Sequence, residues 1–127
     1  MSRNGTDRDV AKMLLDALNA IKTAVANINA HLFSAYIITQ PEDGEGGLND
    51  PVTFSVVAAN VTAYQWEVQS AGSPWHNSSL ATATTSSITV TFTTAETLYD
   101  REFRCKLTGT DGGIVYTNVA HFTAIGG

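Results

Sequence analysis

The sequence predicts a mainly β protein, an antiparallel sandwich or barrel that is preceded by one helix. Residues 7–32 contain neither proline nor glycine, and their apolar side chains recur at the period of a helix. From residue 38 onward, the chain is rich in threonine, serine, valine and aromatic residues that alternate between apolar and polar. Turn residues such as Asp111-Gly112-Gly113 separate these alternating runs.

Composition excludes several classes of function. The 127 residues are 43% hydrophobic and 15% charged, as is typical of a chain with a packed core. A net charge of −5 argues against a nucleic-acid partner, because phosphates are contacted by basic side chains. No apolar run approaches the ~20 residues that span a bilayer. The first ten residues also lack the apolar stretch of a signal peptide. We therefore expect no nucleic-acid partner and no membrane insertion.

Residues 1–33 are predicted to form an oligomerisation segment. Thr6 is followed three residues later by Asp9, the spacing of a capping box, so the helix is expected to begin at this point. Beyond it, apolar residues follow one another at intervals of three and four, which is an unbroken heptad repeat. We call this row the apolar seam; its residues are Ala11, Leu18, Val25 and Leu32 at position a, and Leu14, Ile21 and Ile28 at position d.

The spacing of the seam leaves two explanations open. Either it packs against the rest of the same chain, or it joins copies of the chain in a parallel coiled coil. A strict a/d row is narrower than the stripe of a helix on a globular core, which favours the coiled coil. Ile21 and Ile28 occupy d positions, where dimers prefer leucine. The small Ala17 and Ala24, together with Leu15, widen the apolar surface. A homotrimer is therefore the first choice and a tetramer the second.

Four runs in the second segment have the alternation of strands with one buried face. They span residues 52–58, 64–68, 88–92 and 103–107. Short strands at this spacing are typical of an antiparallel sandwich or barrel, and about 90 residues suffice for a seven-stranded sandwich.

Several short motifs also occur in a characteristic order. They are Ile38-Thr39-Gln40-Pro41, Tyr64-Gln65-Trp66, Trp75-His76-Asn77-Ser78-Ser79 and Phe103-Arg104-Cys105. In this order they resemble an immunoglobulin-like domain of the kind found in bacteria and bacteriophages. The resemblance implies an immunoglobulin-like sandwich over residues 37–125, with residues 38–41 as its first strand. It makes residues 43–50 the connection to the second strand.

The resemblance further implies a domain that lacks its usual disulfide. Phe54 or Val56 stands where the cysteine of the second strand is expected, which leaves Cys105 unpaired. Phe103 occupies the tyrosine-corner position, and Trp66 remains as the aromatic residue that covers the bridge in related domains. We expect Cys105 to be buried and packing to replace the disulfide, as suits assembly in a reducing cytoplasm.

The sequence contains no recognisable arrangement of catalytic or metal-binding residues. His31, His76 and His121 stand at no metal-ligand spacing. There is no nucleophile elbow or phosphate-binding glycine loop, and the acidic residues between 42 and 50 lack the pattern of a calcium loop. We therefore expect no enzymatic activity, no catalytic or metal site and no cofactor.

One cluster, formed by Trp75, His76 and Asn77, remains as a possible ligand-binding site. An aromatic ring beside polar side chains can stack on a sugar and form hydrogen bonds with its hydroxyl groups. The alternative is that Trp75 closes the edge of the sandwich.

The resemblance implies a virion accessory protein, such as a capsid or tail decoration or a head fibre, made in the cytoplasm of the host bacterium. The expected partners are further copies of the chain in a homotrimer, other virion proteins, and cell-surface or mucin carbohydrate. The alternatives are a structural capsid or tail cement protein without a ligand and a bacterial surface adhesin module.

Overall fold

The structure, a computed structural model, describes the backbone of residues 3–126; the side chains of residues 3–7 and 29–32 lie outside the description. The chain divides into two compact units between Phe33 and Ser34. No helix in the described part of the chain combines the length and the apolar character needed to cross a membrane.

The first unit is a single helix, α1 (Arg3–Phe33). At 1.5 Å per residue its 31 residues extend over roughly 46 Å. Thr6 lies inside this helix, so the expected start at a Thr6 cap is wrong. The physical reason is that Gly5 lowers helix propensity by only about 1 kcal/mol and, unlike proline, does not break the hydrogen-bonded turn.

The described side chains of the apolar seam are exposed in a single copy of the chain. Ala11 is exposed, and the exposed fraction is 46–67% for the larger residues Leu14, Leu18, Ile21, Val25 and Ile28. The seventh member, Leu32, has a side chain outside the described residues. A continuous row of large apolar side chains in water is unusual on the surface of a monomer.

The second unit consists of ten short strands and one 3-10 turn (Ala81–Thr84). The strands are β1 (Tyr36–Thr39), β2 (Gly44–Gly46), β3 (Val52–Ser55), β4 (Val57–Ala59), β5 (Val61–Gln69), β6 (His76–Asn77), β7 (Ser87–Val90), β8 (Arg101–Gly109), β9 (Ile114–Tyr116) and β10 (Ala120–Ala124).

The strands form two facing layers. In the smaller layer, β1 pairs with β4 and β3 pairs with β7, all antiparallel. Val56 alone separates β3 from β4, and its amide donates to the Ser86 carbonyl at 3.0 Å. The larger layer has the order β2-β10-β8-β5-β6, with β9 also paired to β8. This arrangement is that of an immunoglobulin-like sandwich, so the expectation of a mainly β architecture with one helix is confirmed.

Strand β2 corrects the expectation that residues 43–50 form only a connection. It lies parallel to β10, and the Ile125 amide donates to the Gly46 carbonyl at 3.1 Å. Glycine has a low strand propensity, which is why this stretch has the composition of a loop. Because glycine has no side chain, β2 can nevertheless lie at this position. A Cβ at Gly44 would come within 2.8 Å of the Val52 side chain, and one at Gly46 within 2.7 Å. The first strand, β1, also begins two residues earlier than expected.

The core between the layers is aromatic at its centre. The rings of Phe54 and Phe103 stack across the layers with their centroids 4.9 Å apart. Phe54 and Val56, the two residues considered for the missing cysteine, are both buried. Trp66 is fully buried, and its indole N–H donates to the Thr85 carbonyl at 2.9 Å. Large side chains therefore fill the space between the layers.

Cys105 is a free thiol in this core, and its predicted burial is confirmed. Its amide donates to the hydroxyl of Thr117 at 2.8 Å, and the Thr117 amide donates to its carbonyl at 2.9 Å. Burial raises the pKa of the Cys105 thiol to about 12, because a thiolate at this position would lose its hydration.

The buried thiol predicts a loss of stability in alkali. The unfolded chain releases the Cys105 proton near pH 9, whereas the folded chain retains it, so higher pH favours unfolding. Between about pH 8 and about pH 10, the free energy of unfolding should fall by roughly 1.5 kcal/mol more in the wild type than in Cys105→Ala. Urea unfolding at both pH values measures the difference. The same pH dependence in the two proteins would contradict the burial of the thiol.

Candidate ligand-binding surface

The outward face of the larger layer carries a stack of aromatic and charged side chains. Side chains alternate along β8, so Arg104 points outward between the buried Phe103 and Cys105. Its guanidinium carbon lies 4.4 Å from the ring centroid of Trp75 and 4.4 Å from that of Tyr116. We call these three residues the aromatic–arginine stack.

An ion pair fixes the position of the arginine in this stack. The Nε of Arg104 lies 2.7 Å from Oε1 of Glu67, its partner residue on the neighbouring strand β5. Both side chains are partly buried, at 26% and 12% exposed. A guanidinium held in this way attracts the electron-rich faces of both rings, by about 0.5–2 kcal/mol per contact. The stack is thus a fixed platform rather than a set of independent surface side chains.

The predicted cluster of Trp75, His76 and Asn77 is divided between two surfaces. Trp75 is partly buried in the stack and lies outside the core cluster. His76 and Asn77 form the edge strand β6, and both are exposed. Together they line a pocket of about 210 Å³ that Trp75 does not line. His76 Nδ1 lies 3.2 Å from the Pro74 carbonyl oxygen.

Sequence reasoning missed two members of the stack, Arg104 and Tyr116. The alternation around Cys105 was a sufficient signal that Arg104 faces outward. Nothing local indicated that Trp75 and Tyr116 would lie on either side of it, because that depends on the pairing of β9 with β8 and on the path of the chain into β6.

A second group of polar contacts lies around His121 on β10. Its amide donates to Oδ1 of Asp43 at 2.8 Å, and this hydrogen bond is the main reason why the pKa of Asp43 is lowered. The ring nitrogens of His121 lie 3.4 Å from Asp43 Oδ1 and 3.6 Å from Glu102 Oε2. Within the part of the chain that the structure describes, no three histidine, cysteine or acidic side chains are grouped to hold a metal ion.

The strand order, together with the buried Trp66 packed in the same core as Cys105, defines the second unit as an immunoglobulin-like domain. No family model matches the sequence, and no curated protein matches it either.

Solved structures similar to this chain include immunoglobulin domains. A chain in the structure of the titin M10–obscurin-like 1 Ig complex is 12% identical, with a TM-score of 0.49 over 73% of this chain and 95% of that chain. Duf (Kirre) D1 is 14% identical, with a TM-score of 0.49 over 72% and 96% of the two chains. The titin M3 domain is 13% identical, with a TM-score of 0.49 over 72% and 97%.

The two tryptophans should differ in their contribution to stability. Trp75 lies on the outward face and loses mainly its contact with Arg104 when truncated, so Trp75→Ala should lower the free energy of unfolding by about 1–2 kcal/mol. Trp66→Ala should lower it by about 3–5 kcal/mol, because it leaves a cavity between the layers. Denaturant unfolding of both variants provides the comparison. A loss of ~3 kcal/mol or more in Trp75→Ala would identify Trp75 as a core residue.

Proposed function

We propose that this chain is a non-enzymatic accessory protein of a bacteriophage virion. In this proposal it decorates the capsid or tail, or forms a head fibre, and displays its immunoglobulin-like domain on a trimeric coiled coil. The domain adheres weakly to host-surface or mucus glycans. The observation that carries the proposal is the exposed apolar seam of α1, followed in the chain by a folded domain with an aromatic platform on its outward face.

The seam supports self-association because its exposed side chains are costly in water. Each large member exposes about half of its surface, and covering that half stabilises the assembly by roughly 1 kcal/mol per side chain. Leu18 at position a with Ile21 at position d matches the combination that favours three or four strands over two, and Ile28 is a second isoleucine at d, where dimers prefer leucine.

The aromatic–arginine stack supports the proposal of a carbohydrate ligand. Arg104 covers one face of the Trp75 ring, and the phenol of Tyr116 supplies a hydroxyl group on the same surface. An aromatic face beside hydrogen-bonding groups suits a sugar, which has an apolar face and hydroxyl groups at its edge. A single such contact is weak. Three copies per coiled coil, and many coiled coils per particle, raise the effective affinity without any further contact.

The trimer is tested by substituting one position of the seam. Ile21→Asp would place three carboxylates in one apolar layer, so we expect the assembly to dissociate into monomers. Thr23→Asp is the matched control, because Thr23 occupies the outward f position of the same heptad and its substitution should leave the trimer intact. Light scattering at tens of micromolar measures both masses. A monomeric wild type would refute the coiled coil, and a dimer or tetramer would refute the stoichiometry.

The glycan ligand is tested on an array that carries host-surface and mucin glycans. The trimeric wild type should bind, and Trp75→Ala should lose the signal while keeping its trimer mass. Trp75→Phe retains a ring over Arg104 and should bind in part, whereas monomeric Ile21→Asp should lose the avidity of three copies. Absence of wild-type binding would favour the cement protein.

The virion assignment has a separate test in the genome. Capsid and tail genes on either side of the coding sequence would support it. A gene context of secretion or cell-wall anchoring would favour the bacterial adhesin module instead.

A further inference from the structure

A pocket opens between the two layers at one side of the sandwich. It lies between β6, the edge strand of the larger layer, and β7 of the smaller layer, and its volume is about 210 Å³. We call it the edge pocket. Its floor consists of Val68, Val90 and Phe103, which are all buried core residues. Its rim carries amide and hydroxyl groups, among them those of Asn77 and Ser79.

Arg101 lines the edge pocket and forms no ion pair with a described carboxylate. Its guanidinium carbon lies 4.3 Å from the ring centroid of Phe92 and 3.9 Å from that of Tyr99. Its Nη2 donates to the Thr97 carbonyl at 2.6 Å, whereas its Nε is buried without a hydrogen-bond partner. The ion pairs among the described residues involve Arg104 and His121 but not Arg101.

The environment of Arg101 makes it receptive to an anion. Burial lowers the pKa of its guanidinium, an effect opposed by the nearby Tyr99. A partly dehydrated charge without a counter-ion is costly, and a ligand carboxylate recovers part of that cost through charge-assisted hydrogen bonds. Arg101 also lines a second pocket, together with Asp100 and Glu102. Their carboxylates repel an anion, so the edge pocket is the favoured side.

We propose that the edge pocket binds an acidic sugar residue, with Arg101 pairing with its carboxylate. A charge-assisted hydrogen bond from a guanidinium to a carboxylate is stronger than one to a neutral hydroxyl group. A phosphate is a poorer match than a carboxylate, because it would bring up to two negative charges to a pocket with one arginine. The volume is below the 300–1,000 Å³ of pockets for drug-sized ligands, which suits a single sugar ring. The apolar floor suits the apolar face of that ring, and the polar rim suits its hydroxyl groups.

This inference requires neither the trimer nor the aromatic–arginine stack, so its failure is distinguishable from theirs. The full chain is titrated with glucuronate and, as the matched neutral ligand, glucose, and amide chemical shifts are recorded by NMR. Glucuronate should give saturable shifts at Ser79 and Thr91, with glucose about tenfold weaker or more. Equal shifts with both sugars, no shifts, or shifts confined to the neighbours of Trp75 would overturn the proposal. A titration with the methyl glycoside of glucuronate, which mimics a glycan-linked residue, distinguishes binding of such a residue from binding of a free sugar acid.

Two substitutions test the role of the charge. Arg101→Gln should weaken glucuronate binding about tenfold or more, whereas Lys106→Gln removes a positive charge from the outward face and should not. If Arg101→Gln does not fold, the exposed Ser79 provides the second test. Ser79→Asp should weaken glucuronate binding, because the new carboxylate repels the ligand and pairs with Arg101. Ser79→Asn should not weaken it, because asparagine has nearly the shape of aspartate without its charge. Equal affinity in Ser79→Asp and Ser79→Asn would overturn the role of Arg101.

Discussion

The sandwich depends on the contact between its two layers, and the stacked rings of Phe54 and Phe103 lie at the centre of that contact. In related sandwiches a covalent bridge holds the layers at this depth. A disulfide acts mainly on the unfolded chain by restricting its freedom, whereas packed rings act only in the folded state. The stability of this domain therefore depends on close packing around Phe54, Trp66 and Phe103, where a lost methylene group has no covalent link to compensate for it.

The same packing determines which face of the larger layer is available for binding. Because Phe103 and Cys105 must face the core, Arg104 between them must face outward. Its pairing with Glu67 then positions the rings of Trp75 and Tyr116. The surface platform is thus a consequence of the core register, and a shift of β8 by one residue would bury Arg104 and expose Cys105.

Much of the fold follows from the sequence, because its strands have strong periodicity. The runs around Phe54, Trp66 and Cys105 alternate clearly, and all three residues are buried as that alternation requires. Strand β2 could not be predicted from periodicity, because glycine has a low strand propensity and the glycines of β2 serve its close approach to Val52. Nor could the edge pocket be predicted from periodicity. Residues from β5, β6, β7 and β8 line that pocket, and their meeting depends on how the two layers face each other.

The shortness of the outermost strands has a consequence for solubility at high local concentration. In strand order the larger layer ends at β2, with three residues, and at β6, with two, and β6 pairs only with Glu67 and Val68 of the longer β5. An edge strand presents unpaired amide and carbonyl groups that can recruit a strand from another molecule, and short edges present few of them. A protein surface that is repeated many times on one particle would bring such edges close together. At β2 and β6 themselves, edges this short give neighbouring domains little opportunity to join into a continuous intermolecular sheet.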